Sequence, residues 1–167
     1  MTSEVMAWCR AVYISARVDY AVRALLVLAG ADEPMRGEAV AAAQDLPTKV
    51  VENTLVDLRR AGLVQSRRGP SGGYRLGRPA KDITIADVIR TLEGPLAEVH
   101  GLRPDQVSYD PPAEALRDVW VALRAGMRLV LESVTLADVA ANRLPAKVRK
   151  LIDTEDAYLP RRLGPGS

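Results

Sequence analysis

The chain has 167 residues, 48% hydrophobic and 26% charged, with a formal net charge of +2. That supplies a core without a disulfide or metal staple, and the single cysteine, Cys9, excludes an intrachain disulfide. Aromatic residues make up 4% and phenylalanine is absent, which argues against a stacking platform for single-stranded nucleic acid. The apolar run at 24–31 is far too short to cross a bilayer, so the chain reads as soluble and cytoplasmic. Its charge is uneven. Residues 44–81 hold Lys49, Arg59, Arg60, Arg67, Arg68, Arg75, Arg78 and Lys81 against only Asp45, Glu52 and Asp57. A local basic patch on a nearly neutral chain points to a polyanion reached by one face.

Residues 1–13 carry little pattern and read as a flexible N-terminal arm. Ser15 stands as an N-cap before a helix over 17–29, whose Tyr20, Ala21, Ala24, Leu25 and Leu28 recur at helical spacing. Gly30 sits where a left-handed backbone most easily ends a helix. A short alanine-rich helix is predicted over 38–45, then a tight turn at Leu46-Pro47, then a second helix over 48–61 closed by Gly62. In that second helix Val51, Leu55 and Leu58 share a face that should be buried. Lys49, Glu52, Asn53, Val56 and Arg60 share the opposite face, polar and free to touch a partner.

Residues 63–66 and 74–76 predict two short strands around Arg67-Arg68-Gly69-Pro70-Ser71-Gly72-Gly73, a stretch dense in turn formers. A helix over 84–93 follows, with Thr84 as cap, Asp87 three residues on and Gly94 as stop. Pro95, Pro104, Pro111 and Pro112 then break up a loop. Residues 114–134 predict a long amphipathic helix, about 30 Å at 1.5 Å per residue. Leu116, Trp120, Leu123, Met127, Val130 and Val134 recur along it at three- and four-residue steps. Thr135 and Asp138 form a capping pair for a further short helix, and the polar tail from Asn142 is expected to be partly disordered.

Two short helices joined by a turn and followed by a basic hairpin make a winged helix-turn-helix, an α+β fold that is mainly α. The second helix of such a unit suits the major groove of duplex DNA, where base edges are distinguishable. The wing suits the backbone or the minor groove, where arginine is favoured.

The segment 14–96 resembles the Rrf2 family of bacterial transcription regulators. The resemblance rests on Asp19-Tyr20-Ala21-Val22-Arg23-Ala24-Leu25, on Ala61-Gly62-Leu63-Val64 and on the wing Arg68-Gly69-Pro70-Ser71-Gly72-Gly73-Tyr74. Ile83-Thr84-Ile85, Leu92-Glu93-Gly94-Pro95-Leu96 and the later Thr135-Leu136-Ala137-Asp138 extend it. It implies a homodimeric repressor with a DNA-binding domain over 14–96, a proline-containing loop over 97–113, a dimerisation region over 114–141 and a tail over 142–167. The helix stripe Leu116, Trp120, Leu123, Met127, Val130 and Val134 would then meet its twin. The implied DNA contacts are Thr48, Lys49, Val50, Glu52 and Asn53 in the recognition helix. To these are added Ser66, Arg67, Arg68, Gly69, Pro70, Ser71, Gly72, Gly73 and Tyr74 in the wing, and Ser15, Arg17 and Tyr20 at the first helix. A glutamate cannot attract phosphate, so Glu52 would accept from a cytosine amino group or exclude wrong bases.

Many members of that family hold an iron–sulfur cluster through three cysteines in the loop before the long helix. Residues 97–112 contain no cysteine, and cluster irons want thiolate or imidazole ligands. His100 in the loop, Asp19 in the first helix and Cys9 in the arm make a poor set, so neither a cluster nor another metal site is expected. An effector is left open as an alternative: a small molecule, a partner protein, or oxidation of Cys9. No catalytic residue is expected either. One histidine and one cysteine exclude most metal and Cys–His sites. The glycines at 69–73 follow a strand with no helix behind it, unlike a phosphate-binding loop. A winged helix that mediates only protein contacts would explain the fold but not the paired wing arginines.

Overall fold

In the computed structural model, which describes residues 14–159, the first helix begins where its cap stands. Ser15 Oγ accepts from the Val18 amide at 3.2 Å and opens α1 (Ala16–Ala29), satisfying one of the amides a first turn leaves unpaired. Val18, Ala21, Ala24, Leu25 and Leu28 line its buried face. Gly30 departs from expectation. Its φ is −92°, in the right-handed region, and its amide reaches the carbonyls of Leu26 and Val27. The helix therefore ends in a tightened last turn.

Helices α2 (Gly37–Ala42) and α3 (Thr48–Arg60) follow. The turn between them is closed by the Leu46 amide, which donates to the Ala41 carbonyl at 2.9 Å. Asp45 adopts φ 51° there, a conformation that short polar side chains tolerate best. Val51, Thr54, Leu55 and Leu58 form the buried face of α3. Thr54 is admitted to the core because its hydroxyl donates to the Val50 carbonyl at 2.7 Å.

Strands β1 (Val64–Arg67) and β2 (Gly73–Leu76) pair antiparallel, from Val64↔Leu76 to Arg67↔Gly73. Met35, ahead of α2, adds a further rung, exchanging backbone bonds of 2.9 and 2.7 Å with Tyr74. Helix α4 (Ile85–Glu93) opens on a reciprocal capping box between Thr84 and Asp87 and stops at Gly94, with φ 87°. Helix α5 (Leu116–Leu131) is shorter than the predicted 114–134. It ends where the Ser133 hydroxyl turns back onto the Leu129 and Val130 carbonyls. A second capping box, Thr135 with Asp138, opens α6 (Leu136–Ala140). Where a polar tail was expected, α7 (Ala146–Ile152) forms and buries Val148. Among the described residues no helix is long and apolar enough to cross a membrane.

Leu25, Leu55, Leu58, Leu63, Ile83 and Leu136 are fully buried in one cluster. Leu136 gets there because residues 83–85 and 134–136 are stitched together. The Ile85 amide donates to the Val134 carbonyl at 3.0 Å, and the Leu136 amide to the Ile83 carbonyl at 3.0 Å. The winged unit therefore does not close at Leu96 but takes a last core residue from beyond α5. Val134, expected on the free stripe of the long helix, is 6% exposed and bonded within its own chain. By contrast, no residue of α5 itself is buried.

The C-terminal end of α5 is tethered to α4 through Glu132. Its carboxylate accepts from Arg128 Nε at 2.9 Å and from Arg90. These hydrogen bonds, Arg128 first and Arg90 second, lower its pKa from 4.5 to about 2. A depressed carboxylate contributes stability that is complete above the unfolded value and is lost as pH falls through the folded one. Acidification from pH 4.5 towards about 2 should therefore weaken this tether. Comparing thermal denaturation of the wild type and Glu132→Gln across that window tests it: the variant should lose part of the acid dependence, and superimposable acid limbs would refute the tether.

Candidate nucleic-acid interface

The inner face of α3 is held by Leu55 and Leu58, which leaves Thr48, Lys49, Val50 and Asn53 on the outside. Pro47 precedes the helix without a side-chain cap, and no acidic residue lies in its first turn. The start of α3 thus presents unpaired amides, the positive end of the helix dipole and the Lys49 ammonium together, an arrangement that favours an anion. Glu52 and Val56 are half-buried rather than exposed. Glu52 leans over the start of α2, its Cγ 3.2 Å from where a Cβ on Gly37 would stand.

The wing supplies the second cationic element. Arg67, Arg68, Gly69, Pro70 and Ser71 are exposed, with Gly72 and Gly73 half-buried. The Gly72 amide donates to the Gly69 carbonyl at 2.9 Å and closes the tip. Below it, Ser66 Oγ accepts from Arg59 at 3.2 Å, and Gln65 accepts from Arg75 at 3.1 Å. Tyr74 packs half-buried against the core, its backbone shared between Ser66 and Met35. Lys49, Arg67 and Arg68 have no carboxylate partner among the described residues, so their charge is available to a ligand.

The candidates at the first helix are placed differently. Arg17 pairs with Asp57 of α3 and donates to the Leu92 carbonyl at 3.3 Å, so its guanidinium is engaged in joining α1, α3 and α4. Ser15 is occupied as the cap of α1, and Tyr20 packs half-buried on the core. Met35 was missed in the sequence. A single bridging residue shows no alternation, so the pattern held no signal for its place beside the wing.

The loop before α5 closes on itself. Val99 and Leu102 exchange backbone bonds of 2.8 and 3.0 Å around His100-Gly101, whose φ values are 52° and 77°, the geometry of a tight two-residue hairpin turn. Pro104 is buried, and Trp120 Nε1 donates to the Tyr109 hydroxyl at 3.2 Å. Among the described residues no three of His, Cys, Asp and Glu come together to hold a metal ion. Asp19 instead pairs with Arg23 at 3.5 Å; Cys9 lies outside the described residues. Along α5, Leu116, Trp120, Met127 and Val130 are half-buried, and Val119 (53%) and Leu123 (41%) are exposed.

The Rrf2 family, described as an iron-dependent transcriptional regulator, matches residues 14–142. A Mycobacterium tuberculosis protein whose name assigns it provisionally to the HTH-type transcriptional regulators is 46% identical over 153 residues, covering 90% of this chain and 95% of the relative. The structure of CymR, titled the global cysteine regulator of B. subtilis, is similar with a TM-score of 0.66 and 35% identity, over 78% of this chain and 97% of that one. The structure of T. potens IscR matches with a TM-score of 0.62 and 30% identity, over 95% of this chain and 96% of that one.

Two glycines separate the ways in which the wing is held. A Cβ on Gly73 would stand 2.6 Å from Met35 backbone atoms, whereas one on Gly62 (φ 77°) meets nothing within 4 Å. Gly73→Ala should cost about 2 kcal/mol through overpacking and release the Met35 and Tyr74 amides to hydrogen exchange. Gly62→Ala should cost about 1 kcal/mol from the left-handed backbone alone and leave those amides protected. Urea titration and amide exchange read both; equal protection in the two variants would refute the wing's dependence on that close approach.

Proposed function

This chain belongs to the Rrf2 family of transcriptional regulators, and on that premise we propose that it is a homodimeric, sequence-specific repressor of transcription. As a member it is a DNA-binding regulator and not an enzyme. The observation that carries the finer reading is the coincidence of unpaired cations, Lys49 on α3 and Arg67 and Arg68 on the wing, with the uncapped start of α3. Thr48, Lys49, Val50 and Asn53 would face the major groove. Glu52, half-buried beside Gly37, would accept from a cytosine amino group at the groove edge. Arg68 would enter the minor groove, with Arg67 and Ser66 near the backbone and the residues 69–73 allowing the chain to approach it closely. Bound in this way across a promoter, the protein would exclude polymerase.

The dimer reading rests on α5. Its stripe of Leu116, Trp120, Leu123, Met127 and Val130, with Val119 beside it, remains uncovered or partly covered within one chain. Gly126 lies in the middle of that helix with nothing within 4 Å of a Cβ position. A glycine inside a helix costs about 1 kcal/mol relative to alanine, and nothing in the single chain offsets it. A second α5 crossing at Gly126 would use the space. Two-fold symmetry then implies a pseudo-palindromic site.

We further propose that the protein works without a resident iron–sulfur cluster. The donor set does not fit one: 97–113 holds no cysteine, His100 sits at a hairpin tip and Asp19 is paired with Arg23. A small molecule or a partner protein would then take the effector role.

Purified protein should select a recurring pseudo-palindrome from genomic fragments, bound with steep salt dependence. Arg68→Ala should weaken binding to that site by about 1–3 kcal/mol, and Lys49→Ala should lower the slope of log K against log salt by about one. An Arg68→Ala protein that binds the selected site unchanged would remove the wing from the reading. Gly126→Leu should leave the single-chain fold intact and dissociate the dimer in sedimentation equilibrium; a stabilised, undissociated dimer would place the crossing elsewhere.

A further inference from the structure

We propose that the pocket between the turn at Pro104–Gln106 and α5 binds a small dianionic oxyanion, a phosphate or a short dicarboxylate. Arg103, Pro104 and Asp105 of the loop and Val121, Arg124 and Arg128 of α5 line a cavity of about 270 Å³, just below the range of drug-sized sites, roughly 300–1,000 Å³. The turn is held in shape by Gln106, whose side-chain oxygen accepts from the Arg103 amide at 3.2 Å, and it packs on α5. Arg103 donates to Asp105 at 2.7 Å. Arg128 shares the Glu132 carboxylate with Arg90. Arg124 is half-buried and makes neither an ion pair nor a hydrogen bond among the described residues.

The charge of the ligand follows from the surplus. Among the lining residues and their ion-pair partners, Arg90, Arg103, Arg124 and Arg128 face only Asp105 and Glu132, which leaves two positive charges without counterparts among the described residues. A guanidinium presents its N–H groups as a planar fork that matches carboxylate or phosphate oxygens. One that is partly withdrawn from water without an acceptor forgoes hydrogen bonds it can make. Asp105 shows that the pocket suits an oxyanion: the hydrogen bond from Arg103 first, then more weakly the charges of Arg103 and Arg124, hold its carboxyl below the ordinary value. The pocket is separate from the face offered to a second copy. At about 100° per residue, Arg124 and Arg128 stand roughly 160° around α5 from Gly126, and none of Leu116, Trp120, Leu123, Met127 and Val130 lines the pocket. A second α5 crossing at Gly126 therefore meets the opposite side of the helix. An occupant would tie the proline-containing loop to α5, and its binding stands independently of the DNA reading.

The test is calorimetry on the full chain without DNA, with phosphate, malonate and acetate compared at one ionic strength and at a pH where phosphate is a dianion. At least one dianion should bind roughly tenfold more tightly than acetate, a difference of about 1.4 kcal/mol, and the tighter of the two identifies the shape the arginines prefer. Arg124→Gln breaks no ion pair and should keep the fold by circular dichroism. It should weaken that dianion roughly tenfold or more. Val121→Glu, which sets a carboxylate into the pocket from an exposed position on the helix, should abolish binding. Arg149→Gln on α7 removes the same charge elsewhere and should change the affinity by less than about twofold, since solvent and salt screen a distant charge. Gly126→Leu should bind as the wild type does. The proposal is overturned if neither dianion exceeds acetate, or if a folded Arg124→Gln or Val121→Glu protein binds as the wild type does. It is equally overturned if Arg149→Gln weakens binding as much as Arg124→Gln, which would mean attraction to net charge alone. Loss of binding in a folded Gly126→Leu protein would also overturn it, since the site would then need a second copy. Because no DNA is present, failure here leaves the regulator reading standing, and failure to select a DNA site leaves this result standing.

Discussion

The shared burial of Leu25 on α1 with Leu55 and Leu58 on α3 is the constraint from which the rest of the molecule takes its geometry. Each such side chain withdrawn from water contributes on the order of 2 kcal/mol, and together they leave α3 one orientation. With Val51, Leu55 and Leu58 turned inward, the helical repeat places Lys49, Val50 and Asn53 outward. The chain leaving α3 through Gly62 then buries Leu63 and Val64 in the same cluster, which roots the wing at a set distance from the helix it accompanies. Arg17 reinforces the arrangement by joining Asp57 to the end of α4. A side chain that could have faced a ligand serves here as a brace.

Helix α5 stands outside this constraint. The chain departs through a proline-containing loop closed by its own backbone bonds at Val99 and Leu102, and it returns through the paired segments 83–85 and 134–136. Leu136 fills the shared core while α5 buries none of its own residues. The helix is therefore anchored at its C-terminal end and unfinished along its length. Such an element completes its burial only by meeting something else. The outward face of α3 with the wing and the uncovered face of α5 are thus separate faces, linked through α4, which packs on both helices.

Local chemistry was legible. Ser15, Thr84 with Asp87, and Thr135 with Asp138 cap helices as their spacing predicts, because a cap is a contract among neighbours three residues apart. The faces of α1 and α3 follow from a 3.6-residue repeat, and the wing from a run of turn formers. Gly30 misled because glycine permits a left-handed ending without requiring one, and here the last turn stays right-handed. Glu52 misled because periodicity assigns a face but not the neighbour that covers its edge, here Gly37.

The sequence by itself determined where helices start, which faces are apolar, where the basic wing lies and which family's pattern the chain follows, since each rests on residues close together in the chain. Only the tertiary structure decided that Val134 and Leu136 belong to the winged unit, that Met35 extends the wing, that Arg17 is tied to Asp57 and that residues 146–152 form a helix. It also decided that arginines of the loop and of α5 meet around one pocket. Most of these outcomes depend on contacts between segments far apart in the chain, whose formation is governed by competition for the same buried surface. No local pattern carries the result of that competition.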